Sequence, residues 1–178
     1  MALDLGAQFL LKNFQDQFPD SISELEVGFM GGDMADPEYA EVKKGKTNHV
    51  EVAHGLLDTS KASFEDLVRF CHSIIDPTTH NQQGIDHGTQ YATVIFVYTP
   101  EQAATVTTVI ADVQALIDAG TITGYSTPNV ATQIRLARPF YPAHEGHMRY
   151  FEKHPEDMGE CSHRIFFKWS DINVAASG

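Results

Sequence analysis

Three groups of side chains could exchange protons or hold a polar oxygen. Glu41 lies in PEYAEV; Asp86, His87, Gln90 and Tyr91 lie in QGIDHGTQY; His144, Glu145, His147 and Tyr150 lie in FYPAHEGHMRY. Carboxyl, imidazole and phenol groups are the usual carriers of proton transfer, and polar loops set among regular elements are where such chemistry concentrates. His144 and His147, three apart around Glu145, have the residue type of metal ligands. A zinc-like site needs further ligands at defined spacing; none follows, so neither a metal nor another cofactor is expected. Spacing alone does not separate these groups from loop residues that are solvated or brace turns.

The elements that must position them follow from periodicity. Phe9, Leu10, Phe14 and Phe18 recur on one side of a predicted helix from about Gly6 to Gln17, with Asp4 or a neighbour as N-cap. ELEVGFM and HVEVAHGLLD read as strands, separated by a turn-rich stretch after Gly31-Gly32 that carries Tyr39 and Glu41. SFEDLVRFCHSII reads as a helix capped by Ser63, with Phe64, Leu67, Val68, Cys71, Ile74 and Ile75 on its apolar face. Cys71 is therefore expected in the core and inert.

Residues 77–90 read as a long polar loop, YATVIFVYT as a strand, and NVATQIRLA as another. Between those strands Thr99, Pro100 and Gln102 make a helix start of capping-box type, and Gly120 ends the helix. AHEGHMRYFEKH reads as a short helix and the tail as loop. Alternating strands and helices predict an α+β chain, a two-layer α/β sandwich, in a single domain over 1–178 with 169–178 as a tail.

Lys and Arg total 12 against 24 Asp and Glu, a formal charge of −12. A surface of that sign repels phosphate backbones, so nucleic acid is not an expected partner. No apolar run reaches the ~20 residues of a membrane helix, and no basic region followed by an apolar stretch marks a secretion signal. Two cysteines, Cys71 and Cys161, make no disulfide framework; a cytoplasmic setting is the simplest expectation.

The wording is more specific than the spacing. Gly28-Phe29-Met30-Gly31-Gly32, Pro37, Tyr39, Glu41-Val42, Gly45, Thr47, His49 and Glu51-Val52 fall in one order; Asp76-Pro77-Thr78-Thr79, Asn81, Gln83-Gly84, Asp86 and Gly88-Thr89-Gln90-Tyr91 follow; Phe140-Tyr141, Ala143, His147 and Tyr150 close the run. This pattern resembles the peptide methionine sulfoxide reductase A family over roughly residues 3 to 168. The resemblance implies a ferredoxin-like plait, a usually monomeric protein and a sulfoxide pocket. It maps proton donation to the sulfoxide oxygen onto Glu41, and holding of that oxygen onto Tyr91 and Asp86. Leu3, Leu5, Phe29, Tyr39, His49, His87, His144 and His147 fall on or beside the substrate pocket.

The departures set the functional expectation. The family opens its site with G-C-F-W-G; anchored on Gly6, Leu3 stands at the nucleophilic cysteine, Asp4 at the Phe and Leu5 at the Trp. Phe29 replaces a Tyr, Ala92 an Arg, Gln133 a Glu and His144 a Glu, and the strand that precedes the cysteine is nearly absent. Leucine cannot form a sulfenic acid, so the family route is expected to be blocked. Glu41, Asp86 and Asp4, held close, would raise one carboxyl pKa and leave an acid beside Tyr91. The expectation is a repurposed non-redox enzyme, isomerising, cyclising, dehydrating or opening an epoxide on a small molecule. Two alternatives stand beside it: a catalytically dead binder of sulfoxides or peptides, and a residual reductase using Cys161, which resembles a recycling cysteine. Asp4 is equally readable as a helix cap.

Overall fold

The computed structural model describes residues 5–143 and 164–172, the side chains of 5–8 excepted. Leu3, Asp4, His144, His147 and Cys161, the side chain of Leu5, and the helix expected at AHEGHMRYFEKH lie outside the described residues.

Helix α1 (Leu5–Gln17) is followed by β1 (Ile22–Met30), the one-turn α2 (Tyr39–Val42) and β2 (Val50–Leu57). β1 and β2 pair antiparallel, with a bulge between Ser23 and Glu26 where Glu24 takes φ +51°. The bulge sets two residues, Glu24 and Leu25, against Gly55, one extra residue, and Val27 and Phe29 beyond it are buried. β7 (Tyr141–Pro142) adds to the other edge of β1, giving the order β2-β1-β7. Leu11, Val27, Phe29, Tyr39, Val42 and Ala143 form the core on this side.

Helix α3 (Phe64–Ile74) begins at the expected Ser63, and the box is complete: the Asp66 amide donates to Ser63 Oγ at 3.0 Å, and the Ser63 amide to Asp66 Oδ2 at 2.9 Å. Strand β5 (Val94–Val97), helix α4 (Pro100–Asp118) and β6 (Gln133–Leu136) make a β-α-β unit with parallel strands. Val106, Val109 and Val113 of α4 are fully buried, with Val68, Val97 and Ile122 around them. At the start of α4, Thr99 Oγ1 accepts from the Gln102 amide at 3.2 Å, but the Gln102 side chain accepts from the Tyr98 amide at 2.7 Å. The reciprocal box foreseen there is thus displaced by one residue.

The expected polar loop over residues 77–90 begins in the interior. Asp76, Pro77, Thr78 and Thr79 are buried and lead into the small hairpin of β3 (Gln82–Gln83) and β4 (Asp86–His87), then a 3-10 turn at Thr89–Tyr91. Near the C-terminus Phe167, Trp169 and Ile172 pack against the α4 core.

The mixed α+β class holds. Within it the strands form two separate larger sheets, β2-β1-β7 and β5-β6. An apolar slot lies between them, and no helix of the described residues is long and apolar enough to cross a membrane.

Candidate active site

Glu41 sits on the one turn of α2, half-buried, and its Oε1 accepts from Lys44 Nζ at 2.5 Å. The loop leaving α2 runs against the Thr89–Tyr91 turn: a Cβ on Gly45 (φ +67°) would lie 3.7 Å from Thr89 Oγ1 and 3.8 Å from Gln90 Oε1. The two segments carrying Glu41 and Tyr91 are therefore neighbours. Tyr91 borders the slot between the sheets. Asp86 is half-buried on β4, paired in register with Gln83, while His87 next to it is exposed. Glu41 is held by a cation, and Asp86 and His87 sit on a separate hairpin.

Several residues mapped to the substrate pocket are core. Phe29 is 2% exposed and Tyr39 lies in the same cluster, with Lys43 over its ring at 5.9 Å. His49 is 1% exposed, and neither ring nitrogen has a hydrogen-bond partner among the described residues. Its ring meets Tyr141 edge-on at 5.8 Å and lies under Gly32, where any Cβ would collide with the imidazole. Burial pushes the His49 pKa below its ordinary 6.5, against a smaller pull upward from Asp33. His49 is neutral packing under the Gly31-Gly32 turn.

Residue types alone did not single out the ion pair above that turn. Asp33 Oδ1 accepts from Arg138 Nη1 at 3.0 Å and its Oδ2 from Asn48 Nδ2 at 3.1 Å, and Arg138 also reaches the Gly31 carbonyl at 3.3 Å. The Asn48 hydrogen bond and then the Arg138 guanidinium hold the Asp33 carboxyl below its usual range. These contacts tie three distant loops over His49. The sequence signal was Asn48 just before His49, a residue type that tolerates the positive φ (+58°) found there.

The slot is a cavity of about 240 Å³. Val52, Ala53 and His54 of β2 line one side, Val94, Ile95 and Phe96 of β5 the other, and Leu10, Phe14, Leu67 and Cys71 of the helices its floor. Cys71 keeps a little surface toward it, but burial pushes its thiol up to about 12. A thiol so disfavoured as thiolate is no nucleophile at neutral pH.

A sequence model of the peptide methionine sulfoxide reductase family matches residues 8–175. The chain belongs to that family. A probable peptide methionine sulfoxide reductase of Schizosaccharomyces pombe is 37% identical over 150 residues, 84% of this chain and 83% of the relative. MsrA of Polynucleobacter asymbioticus is 41% identical over 135 residues, 76% and 67% of the two chains. Among solved structures, reduced Mxr1 of Saccharomyces cerevisiae superposes with a TM-score of 0.77 at 25% identity, covering 90% of this chain and 88% of that one. Methionine sulfoxide reductase A of Corynebacterium diphtheriae gives 0.68 at 29%, covering 80% and 70%.

These similarities correct the functional expectation. A non-redox isomerase, cyclase, dehydratase or epoxide-opening enzyme built on acid–base catalysis is overturned: relatives at 34–41% identity over most of the chain carry the name of the reductase.

Proposed function

We propose that this member of the reductase family reduces methionine sulfoxide in peptides, with the thiol supplied by Cys161. The carrying observation is the family match over residues 8–175 together with the state of Cys71. The chain has two cysteines, and the burial that raises the Cys71 thiol to about 12 removes it from the chemistry.

The reaction balances as follows. The Cys161 thiolate attacks the sulfoxide sulfur, Glu41 gives a proton to the departing oxygen, and the oxygen passes to the cysteine as a sulfenic acid while the methionine thioether is released. An external dithiol then reduces the sulfenic acid, forming its own disulfide and water. Tyr91, at the end of the Thr89–Tyr91 turn, donates its phenol O–H to the sulfoxide oxygen, with Asp86 on the neighbouring hairpin. With one chemically available thiol per chain, the reducing equivalents come from a second molecule, a dithiol protein or dithiothreitol.

Leu3 at the family's thiol position favours a second reading, a binder of the same peptides without turnover. One experiment separates the two: sulfide formation from a Met-sulfoxide peptide with dithiothreitol, using the natural chain, Cys161→Ser and Cys71→Ser. Turnover lost only with Cys161→Ser supports the reductase; binding without turnover in all three leaves the binder.

A further inference from the structure

Arg135 carries a positive charge that is met by an amide and not by a carboxylate. It stands on β6 beside Phe96 of β5 and is partly buried. Its Nε and Nη2 both donate to Gln133 Oε1, at 3.1 and 2.7 Å. Gln133 lies two residues back along the strand, on the same face. An amide oxygen satisfies the two N–H groups and leaves the charge standing. Position 133 is one of the departures from the family pattern, Gln in place of Glu. A carboxylate there would cancel Arg135; the amide does not.

Two other arginines differ. Arg138 has Asp33 at 3.0 Å, and Arg69 has Glu65 at 2.8 Å and Asp112 at 2.7 Å. Asp33 is engaged on both oxygens, by Arg138 and by Asn48. Among the described residues no carboxylate pairs with Arg135. The end of its guanidinium faces the Gly31-Gly32 turn: a Cβ on Gly31 would lie 3.9 Å from Arg135 Nη1, and Arg138 Nη1 reaches the Gly31 carbonyl at 3.3 Å. Two guanidinium groups thus meet at one glycine. A partly buried cation without a counter-charge is costly. Nη1 and Nη2 still present the fork that takes a carboxylate through two parallel hydrogen bonds.

We propose that Arg135 is a specificity-determining residue, selecting methionine sulfoxide peptides that carry an Asp or Glu roughly three to five residues from the oxidised methionine. The proposal rests on the reading that such peptides occupy the site at Glu41 and Tyr91. The spacing follows from the chain: Arg135 is level with Phe96, five residues beyond Tyr91. Five residues span at most ~18 Å, and an extended peptide covers the same distance with as many. The peptide's side-chain carboxylate accepts from Nη1 and Nη2. The formal charge of −12 repels acidic peptides at long range, so a preference for them has to come from a local cation.

The test measures affinity of the intact chain by fluorescence anisotropy without reductant, so binding is read whether or not turnover occurs. Two labelled, end-capped peptides carry a central methionine sulfoxide in a Ser-Gly background; one has Glu four residues to either side, the other Gln. The natural chain is expected to bind the Glu peptide about fivefold more tightly. That ratio is expected to vanish in Arg135→Gln and in Gln133→Glu, which gives the guanidinium a carboxylate of the chain's own. Arg135→Lys keeps the charge, loses the fork and is expected to retain part of the ratio. The proposal is overturned by no saturable binding of either peptide, by equal affinity for the two in the natural chain, by a preference that survives Arg135→Gln or Gln133→Glu, or by one lost only in Arg138→Gln. Turnover is scored separately with dithiothreitol: preference without turnover keeps the Arg135 subsite and removes the reductase, and turnover without preference does the reverse.

Discussion

The carboxylate of Asp76 fastens Ser126, fifty positions further along the chain. Its Oδ2 accepts from the Ser126 amide at 3.0 Å and from Ser126 Oγ at 2.7 Å, while Oδ1 accepts from the Thr78 amide at 2.9 Å and Thr78 Oγ1 at 2.6 Å. Asp76 is 7% exposed, so four donors replace its water. Removing a buried charged acceptor strands those donors. Asp76→Ala is expected to cost roughly 2–4 kcal/mol of stability, and Asp76→Asn, which keeps one acceptor oxygen, less. Urea denaturation with unchanged slope checks both.

Two buried histidines set the response to acid. Burial lowers the pKa of His49 and of His72 below 6.5, although the Val68 carbonyl at 2.8 Å pulls His72 partly back. The unfolded chain therefore binds more protons than the folded one once pH drops below about 6.5. Stability is full above that pH and falls as pH descends through it toward the lowered folded values. His49→Phe, which removes two unpartnered nitrogens, is expected to be near neutral at pH 7.5 and to flatten the slope between pH 7 and 5. Thermal melts across that range read it directly.

Much of the scaffold was legible from the chain, because the signals were local. The Ser63 cap, the Val-rich face of α4 and the strand at ELEVGFM depend on near neighbours. The buried stretch at Asp76–Thr79 was not legible, because its burial rests on Ser126 and Thr127 far away in sequence. Its polar side chains read as solvated and instead bind Ser126 and Thr127 in the interior. Phe29, Tyr39 and His49 were assigned to a pocket from the motif segments they sit in; their burial is what the structure adds. The functional correction has a similar root. A missing cysteine in one short motif outweighed, wrongly, the similarity carried by the rest of the chain.

Cys71 makes a chemical prediction. With burial pushing its thiol up to about 12, very little of it is thiolate at pH 8. In a Cys161→Ser chain, a maleimide or disulfide reagent is expected to label native protein at a small fraction of the rate seen in urea. Fast labelling of the native form would mean that the cavity exposes the sulfur and that Cys71 re-enters the chemistry.

Trp169 anchors the C-terminal segment. Its Nε1 donates to the Arg69 carbonyl at 2.6 Å, and the Arg69 guanidinium lies 4.4 Å over its ring. Arg69 is itself held by Glu65 at 2.8 Å and Asp112 at 2.7 Å. Trp169→Ala is expected to cost roughly 1–3 kcal/mol, below the range for a fully buried Trp because the ring is half-exposed. Trp169 is the only tryptophan, so its fluorescence also reports undocking of the segment before global unfolding.

The most direct measurement is the fate of one oxygen atom. A peptide carrying a single methionine sulfoxide is incubated with the natural chain and dithiothreitol, and mass spectrometry follows loss of oxygen against a chain-free control. The account predicts catalytic conversion to the thioether that disappears in Cys161→Ser and persists in Cys71→Ser. No conversion above the control, or conversion untouched by Cys161→Ser, would contradict it.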